Sequence, residues 1–172
     1  MILDILSYPD PSLRAISEPV RELTPEIRQL AADMLETMYD AKGVGLAAPQ
    51  VGRPLRMLVM DPAVAYDGRE PRVVINPELE LLGEKIVSEQ EGCLSVPLNY
   101  RADVPRHSMA RLRGMDLEGR PIDEILQGLP AIIIQHETDH LDGKLFIDRL
   151  SHLKRSMYDG KVKKWLKAQK EE

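Results

Sequence analysis

The sequence predicts an α+β domain in which short, mostly antiparallel strands surround a central buried helix. Three segments have helical patterns, and the strand-like segments are gathered between the first and second of them. Strands and helices do not alternate as they do in a parallel sheet, so the pattern favours the α+β class. At 172 residues, 43% of them hydrophobic, the chain is long enough to bury the core of one domain, residues 1–172.

The first helix is predicted to begin after Thr24, a hydroxyl residue suited to the N-cap, with Pro25 at the first helical position. Apolar residues then recur at helical spacing, and Gly43 marks the end of the pattern. These apolar residues are Ile27, Leu30, Ala31, Met34, Leu35 and Met38. One face of this helix should therefore pack on the core.

Four short strands are predicted in the middle of the chain, because short apolar or β-branched runs are separated there by Pro, Gly and Asp. The four segments are Met57–Met60, Val73–Ile75, Lys85–Val87 and Ser108–Arg113. The glycine-rich segment 43–52 is predicted as a tight loop, and its glycine spacing differs from that of a phosphate-binding loop.

Two further helices are predicted in the last third of the chain. One begins near Gly128 and ends near Gly143, and its Ile132–Ile134 run is too apolar for a surface helix, so it should be central. The other spans about Leu153 to Lys170 within a basic C-terminal helix and tail, residues 151–172. Its apolar stripe consists of Tyr158, Val162, Trp165 and Leu166.

Composition excludes several classes of protein. No run approaches the roughly 18 apolar residues of a membrane span, and the first residues do not resemble an export signal. Cys93 is the single cysteine, which excludes an intrachain disulfide and favours the cytoplasm. The net charge of −5 argues against a surface broadly adapted to nucleic acid, and DNA is not an expected partner.

The basic end of the chain is an exception to this charge balance, since Asp159 is the only acid within residues 151–170. The basic residues are Lys154, Arg155, Lys161, Lys163, Lys164, Lys167 and Lys170. A solvated helix face and a docking surface for an anionic partner are both compatible with this pattern.

The strongest chemical signal is the HExxH sequence of residues 136–140. On a helix, His136 and His140 share one face and can bind one ion, and Glu137 beside them could accept a proton from water on that ion. The alternative is a chance motif on an exposed helix. Burying these groups without a shared ion would be costly, so the buried helix favours a metal-dependent hydrolase.

A third ligand must come from elsewhere in the chain. The long zinc-protease signature requires His at position 146, which is Phe146, and His152 and Glu171 are weak candidates. Cys93 is better, because a thiolate and two imidazoles leave an open fourth position, as in catalytic sites. A lone cysteine is more often a small buried hydrophobe, and only the two histidines favour the ligand interpretation. This ligand set alone suggests Zn2+.

Three segments together resemble the signature blocks of peptide deformylases in order and spacing. They are GVGLAAPQVG at 43–52, EGCLSVP at 91–97 and QHETDHLDG at 135–143, and the opening LDILSYPDPSLR is also similar. The resemblance implies a single catalytic domain in the bacterial cytoplasm. It implies removal of the N-formyl group from the N-terminal methionine of newly synthesised polypeptides, with release of formate.

The resemblance also implies roles for individual residues. The ion would be bound by Cys93, His136 and His140, and Glu137 would be the general acid and base. Gln50 and the backbone N–H of Leu94 would form the oxyanion hole. Val44, Gly45 and Gly92 would bind the main chain of the substrate. Glu91 would pair with Arg106 behind the ligands. Independently, the side-chain amide of Gln50 is a suitable donor to a developing oxyanion.

Cofactor and partners are implied in the same way. The working ion would be one Fe2+ per chain, with Zn2+, Ni2+ or Co2+ as substitutes in purified protein. N-formyl-Met nascent peptides would be the substrate, with ribosome contact through the C-terminal basic helix and no membrane contact.

The sequence departs from the family pattern directly after the EGCLSVP block. Family members commonly have glycine there, whereas this chain has Leu98-Asn99-Tyr100, and the stretch that leads to Arg106 is one residue longer. It alters the rim of the pocket and leaves open whether Arg101 contacts substrate.

Two other functions remain open from the sequence. A metallopeptidase would cut internal peptide bonds, although Phe146 and the 43–52 segment count against it. A non-catalytic ribosome-associated module would use only the basic helix. Formate release from a formyl-Met peptide distinguishes both from a deformylase.

Overall fold

The computed structural model describes residues 1–171, and Glu172, the last residue of the expected C-terminal tail, lies outside this range. The helices are α1 (Pro25–Asp40), α2 (Leu129–Leu141) and α3 (His152–Lys170). The strands are β1 (Gly45–Ala47), β2 (Met57–Met60), β3 (Arg72–Glu91), β4 (Ala102–Met115) and β5 (Pro121–Gln127). Each strand pairs antiparallel with the next along the chain, which confirms the α+β prediction.

The predicted ends of α1 are observed. The hydroxyl of Thr24 accepts a 3.3 Å hydrogen bond from the N–H of Ile27 and so satisfies an otherwise free donor of the first turn. After Asp40 the backbone of Lys42 becomes left-handed, and the N–H of Gly43 donates to the carbonyl of Met38 at 2.9 Å. The helix therefore ends at the segment that leads into β1.

The prediction of separate short strands was wrong for part of the sheet. Val73–Ile75 and Lys85–Val87 both belong to the 20-residue strand β3, whose register with β4 shifts between Ile75 and Glu78 and between Leu82 and Lys85. At these irregularities Asn76 and Gly83 adopt positive φ. Turn-forming residues that usually end a strand instead form bulges here, because β4 continues to pair beyond them.

Two strands were not predicted. Strand β1 lies inside the 43–52 segment, which was expected to be only a loop, and β5 pairs with β4 over its whole length. Because β1 is the first strand of the sheet, only one of its edges is paired with another strand of residues 1–171. The other edge is available for an extended peptide.

Helix α2 lies at the centre of the molecule, as predicted, with ten of its 13 residues buried. Its apolar residues pack on the sheet in a cluster with Leu58, Met60, Val74, Ala110, Leu112 and Leu126. The polar residues of α2, which include both histidines, come after the Ile run at positions 135–140 and are also buried. The buried HExxH helix is thereby placed beside β1 and the end of β3.

Helix α3 packs through the predicted stripe, with Tyr158 and Val162 buried and Trp165 and Leu166 partly buried. These residues contact the segment that follows β3 and the turn around Phe146. Within residues 1–171, no helix has both the length and the apolar character required to cross a membrane.

Candidate metal centre and active site

Three potential ligands meet where α2 passes the segment after β3. The ligand atoms of Cys93, His136 and His140 all lie within 4.8 Å of one another, and Cys93 Sγ is 3.3 Å from His140 Nε2. Both histidines are buried and Cys93 is half-buried. A thiolate and two imidazoles so close together fit a divalent ion and leave one position open, as in catalytic sites.

A buried carboxylate orients one of these histidines. Nδ1 of His136 donates a 2.6 Å hydrogen bond to Glu91, and Arg106 donates to the same carboxylate at 2.5 and 3.2 Å. Burial alone would raise the pKa of Glu91, but the hydrogen bonds from His136 and Arg106 lower it to about 2. The ionised Glu91 therefore fixes the ring of His136 and leaves Nε2 as the nitrogen that can bind an ion.

The charge of Arg106 is balanced on its other side by Asp139. Arg106 donates to Asp139 at 2.8 Å, and Arg149 contributes two further bonds of 2.7 Å to the same carboxylate. The role of Asp139 was not anticipated, although it lies within the HExxH block three residues after His136. The buried charges behind the metal centre thus form one connected set of ion pairs.

Glu137 lies beside the ligands, with Oε1 3.8 Å from Nε2 of His136. Burial raises the pKa of its carboxyl group to about 7. Within the described range, its Oε2 is buried without a hydrogen-bond partner. A carboxyl group with a free oxygen beside the ligands is placed to accept a proton from water and to return it.

The backbone of β1 approaches Glu137 very closely. A Cβ atom added to Gly45 would lie 2.8 Å from Oε1 and 2.9 Å from Cγ of Glu137, so no larger residue fits without displacing the carboxylate. Glycine at position 45 therefore brings the free edge of β1 next to Glu137.

Gln50 is held on the other side of the thiolate, in the 3₁₀ turn Ala48–Val51. Its Oε1 accepts a 2.9 Å hydrogen bond from the N–H of Ala47, and its Nε2 donates to Ser95 Oγ at 3.0 Å. Nε2 is also 3.6 Å from Cys93 Sγ. Ser95 was missed from the sequence, although it lies two residues after Cys93. These contacts fix an amide donor beside the metal centre.

A cleft of about 600 Å³ opens over these groups. Of the residues expected at the site, its walls contain Val44, Gly45, Gln50, Glu91, Gly92, Cys93, Leu94, His136 and Glu137. Leu129, Ile132 and Ile133, from the first turns of α2, form an apolar wall. His140 is buried beneath the cleft, and Arg106 lies behind it and lines a separate cavity. The volume of the cleft lies within the range of ligand-binding clefts.

Together, the buried HExxH helix, the cysteine ligand and the cleft beside a free strand edge define a metal-dependent hydrolase of peptide-like amides. The family model described as polypeptide deformylase matches residues 2–156. A peptide deformylase of Alkalilimnicola ehrlichii is 54% identical over 164 residues, covering 95% of this chain and 90% of the relative. The chain belongs to the peptide deformylase family.

Solved structures agree with this assignment. The peptide deformylase of Legionella pneumophila superposes with a TM-score of 0.89 at 42% identity and covers 100% of this chain and 99% of its own. A peptide deformylase of Acinetobacter baumannii, solved with Met-Ala-Ser bound, has a TM-score of 0.80 at 35% identity, covering 87% of this chain and 99% of its own. The protein is thus a metal-dependent enzyme that removes N-formyl groups from nascent peptides.

Proposed function

We propose that Glu137 transfers the protons in this deformylation and that Cys93, His136 and His140 hold the ion. The observation that carries the proposal is a buried carboxyl group whose Oε1 lies 3.8 Å from Nε2 of His136, beside the three ligand atoms at the base of the cleft. An ion bound there supplies Lewis acidity, making hydroxide available at neutral pH and polarising the formyl carbonyl. Glu137 accepts the proton of the attacking water and later delivers it to the departing amine, and formate leaves.

Two donors meet the negative charge that develops on the formyl oxygen. The side-chain amide of Gln50 is held beside Cys93 by Ala47 and Ser95, and the backbone N–H of Leu94 follows Cys93 directly. One donor of this kind typically lowers a barrier by about 3–4 kcal/mol. Because the contacts of Gln50 fix it before substrate arrives, little reorganisation is required during the reaction.

The substrate main chain would add to the free edge of β1. Val44, Gly45 and Gly92 offer backbone groups along the cleft, and the apolar wall of Leu129, Ile132 and Ile133 suits a methionine side chain. Met-Ala-Ser bound to the Acinetobacter baumannii relative supports this class of ligand. Main-chain binding would make recognition beyond methionine largely independent of sequence.

Formate release from formyl-Met-Ala-Ser tests the proposed function against the metallopeptidase alternative. The control is an unformylated peptide of the same sequence with several residues added, assayed for internal cleavage. We expect formate from the first and no cleavage of the second. Internal cleavage without formate release would overturn the proposal.

We propose Fe2+ as the working ion, on the basis of the family resemblance, although the donor set alone suits Zn2+. Ferrous iron beside a thiolate should be sensitive to oxygen, because first the metal and then the sulfur can be oxidised. Protein loaded anaerobically with Fe2+ should turn over faster than the Zn2+ form, with Ni2+ and Co2+ forms for comparison, and should lose activity in air. Equal rates, or an iron form stable in air, would contradict the assignment.

We also propose that the protein acts in the cytoplasm as one catalytic domain, residues 1–172. Its helix α3 would contact ribosomal RNA there. The buried Tyr158 and Val162 leave the lysines of α3 exposed. Ribosome co-sedimentation should fall steeply as salt rises, and should be lost when residues 153–172 are deleted or when Lys163 and Lys164 are changed to Glu. The double substitution of Lys163 and Lys164 is included because the deletion also removes the buried Tyr158 and Val162, and loss of binding could then reflect misfolding. Unchanged binding would identify α3 as a solvated face.

A further inference from the structure

A second groove, of about 250 Å³, lies between α3 and the ends of β3 and β4. We call it the α3 groove, and it is lined by Gln90, Tyr100, Arg101, Ala102, Asp103, Lys154, Met157, Tyr158 and Lys161. Gln90, Tyr100 and Arg101 also line the active-site cleft. The cleft and the groove therefore adjoin at these three residues.

The α3 groove carries an excess of positive charge. Arg101, Lys154 and Lys161 provide three cations, and within residues 1–171 none of them is in a salt bridge. The acid of the groove, Asp103, accepts hydrogen bonds of 3.0 and 3.3 Å from the backbone and side chain of Gln90. The exposed cations therefore offer partners to an incoming anionic segment.

The base of the groove is apolar and firmly held. The rings of Tyr100 and Tyr158 stack with centroids 4.2 Å apart, and the hydroxyl of Tyr158 donates to the carbonyl of Pro97 at 2.9 Å. Met157 adds an apolar side chain that is 59% exposed. Lys154 and Lys161 are seven residues apart on α3 and so lie on the same side of the helix as Tyr158. The exposed Met157 and the two lysines beside it on α3 suit a polypeptide that carries both apolar and acidic side chains.

We propose that the α3 groove binds an acidic segment of the substrate polypeptide, downstream of the residues held in the active-site cleft. The proposal rests on the proposed function, because the formylated end must occupy the cleft for the following residues to reach the groove. An extended chain advances about 3.3 Å per residue, so the residues that follow the formylmethionine would pass Gln90, Tyr100 and Arg101 and reach the groove. The shared lining favours the substrate over a nucleic acid as occupant, because the substrate already lies in the adjoining cleft.

Three substrates test the proposal. One is formyl-Met-Ala-Ser, and the other two are ten-residue peptides that begin with the same residues and carry either Glu or Gln at positions four to eight. An exposed ion pair contributes about 0.2–1 kcal/mol, so the two or three available cations should lower KM for the Glu peptide about five-fold at low salt. The preference should disappear near 1 M salt, because screening then acts within about 3 Å.

Matched variants locate the effect. Lys154→Gln combined with Lys161→Gln should abolish the preference for the Glu peptide. Lys163→Gln combined with Lys167→Gln removes the same charge from the opposite side of α3 and should keep the preference. A preference lost equally in both double variants would overturn the groove as the binding site.

The remaining outcomes separate this inference from the proposed function. Failure to release formate from formyl-Met-Ala-Ser would contradict the proposed function itself. Normal release from that tripeptide, with equal KM for the Glu and Gln peptides, would overturn the groove proposal alone. The groove proposal would also fail if the Lys154 and Lys161 changes weakened ribosome binding and left the peptide preference intact, since the groove would then serve a nucleic acid.

Discussion

Nδ1 of His136 donates to the carboxylate of Glu91 across 2.6 Å, in a part of the protein where both side chains are buried. Arg106 donates to the same carboxylate of Glu91 and, through its other terminal nitrogen, to Asp139. The orientation of a metal ligand on α2 therefore depends on a residue at the end of β3. The sheet and the helix are electrostatically coupled behind the metal centre.

Glu91→Gln is expected to weaken metal binding by about 10- to 100-fold, because the ring of His136 loses an anionic acceptor. Titration against a chelator of known affinity measures this change. Glu84→Gln, an exposed substitution on the same strand, is the control and should leave metal affinity unaltered. Equal affinities for Glu91→Gln and the unchanged protein would show that this carboxylate does not support the ligand.

Glu137→Gln is expected to retain the ion and to lose about 10²- to 10⁴-fold in formate release, because the ligands stay while the proton acceptor is removed. Metal analysis and a formate assay on the same sample measure both properties. Near-normal turnover in a metal-loaded variant would refute the assigned role.

Gly45→Ala should reduce formate release at least about ten-fold, because a Cβ at this position would lie 2.8 Å from Oε1 of Glu137 and displace the carboxylate. Metal content should be unchanged, since the three atoms nearest to the added Cβ all belong to Glu137 and not to a ligand. Gly160→Ala on α3 has no atom within 4 Å of the added Cβ and serves as the control. Comparable activity of the two variants would show that the close approach of β1 is not required.

Acid should remove a stabilising contribution of Asp148. Burial alone would raise the pKa of this carboxyl group, but hydrogen bonds from Arg14 and from the N–H of Leu145 lower it. A lowered folded-state pKa stabilises the protein above the ordinary pKa of about 4, and the contribution is lost as pH falls through the folded value.

Asp148→Asn should therefore lower the free energy of unfolding by about 1 kcal/mol at pH 7, and the difference from the unchanged protein should shrink below about pH 4. Urea unfolding at a series of pH values measures this difference. Asp67→Asn, at an exposed position, is the control. A difference that stays constant down to pH 3 would mean that the charge of Asp148 is not responsible.

The helices could be predicted because their signals are local. Thr24 and Pro25 mark the start of α1, and Pro130 and the Ile132–Ile134 run mark the start and the burial of α2. These residues act within one or two turns of their own helix. No distant partner is needed to interpret them.

The long strand β3 could not be predicted because its continuity depends on a partner. The sequence around Asn76 and Gly83 has the composition of a turn, and only pairing with β4 on both sides keeps the chain in the sheet. Strand β1 shows the same limit. Its three residues become a strand because β2 lies beside them.

The site was predictable to the extent that its residues are close in sequence. The spacing of His136 and His140 places two ligands on one face of a helix, whereas the choice of Cys93 drew on the family resemblance as well as on its chemistry. The Gln50–Ser95 and Arg106–Asp139 contacts join residues 45 and 33 positions apart. Such contacts follow from the packing of the whole domain.

The position of Cys93 has a mechanical consequence. Cys93 and His140 are 47 residues apart, and they belong to the end of the sheet and to the central helix. An ion bound by both acts as a cross-link that closes this loop, in a chain whose single cysteine rules out an intrachain disulfide. By analogy with disulfide loops of this length, closure could stabilise the fold by about 4 kcal/mol. Stripping the ion would then loosen residues 91–97 from α2, and amide hydrogen exchange would reveal the released segment.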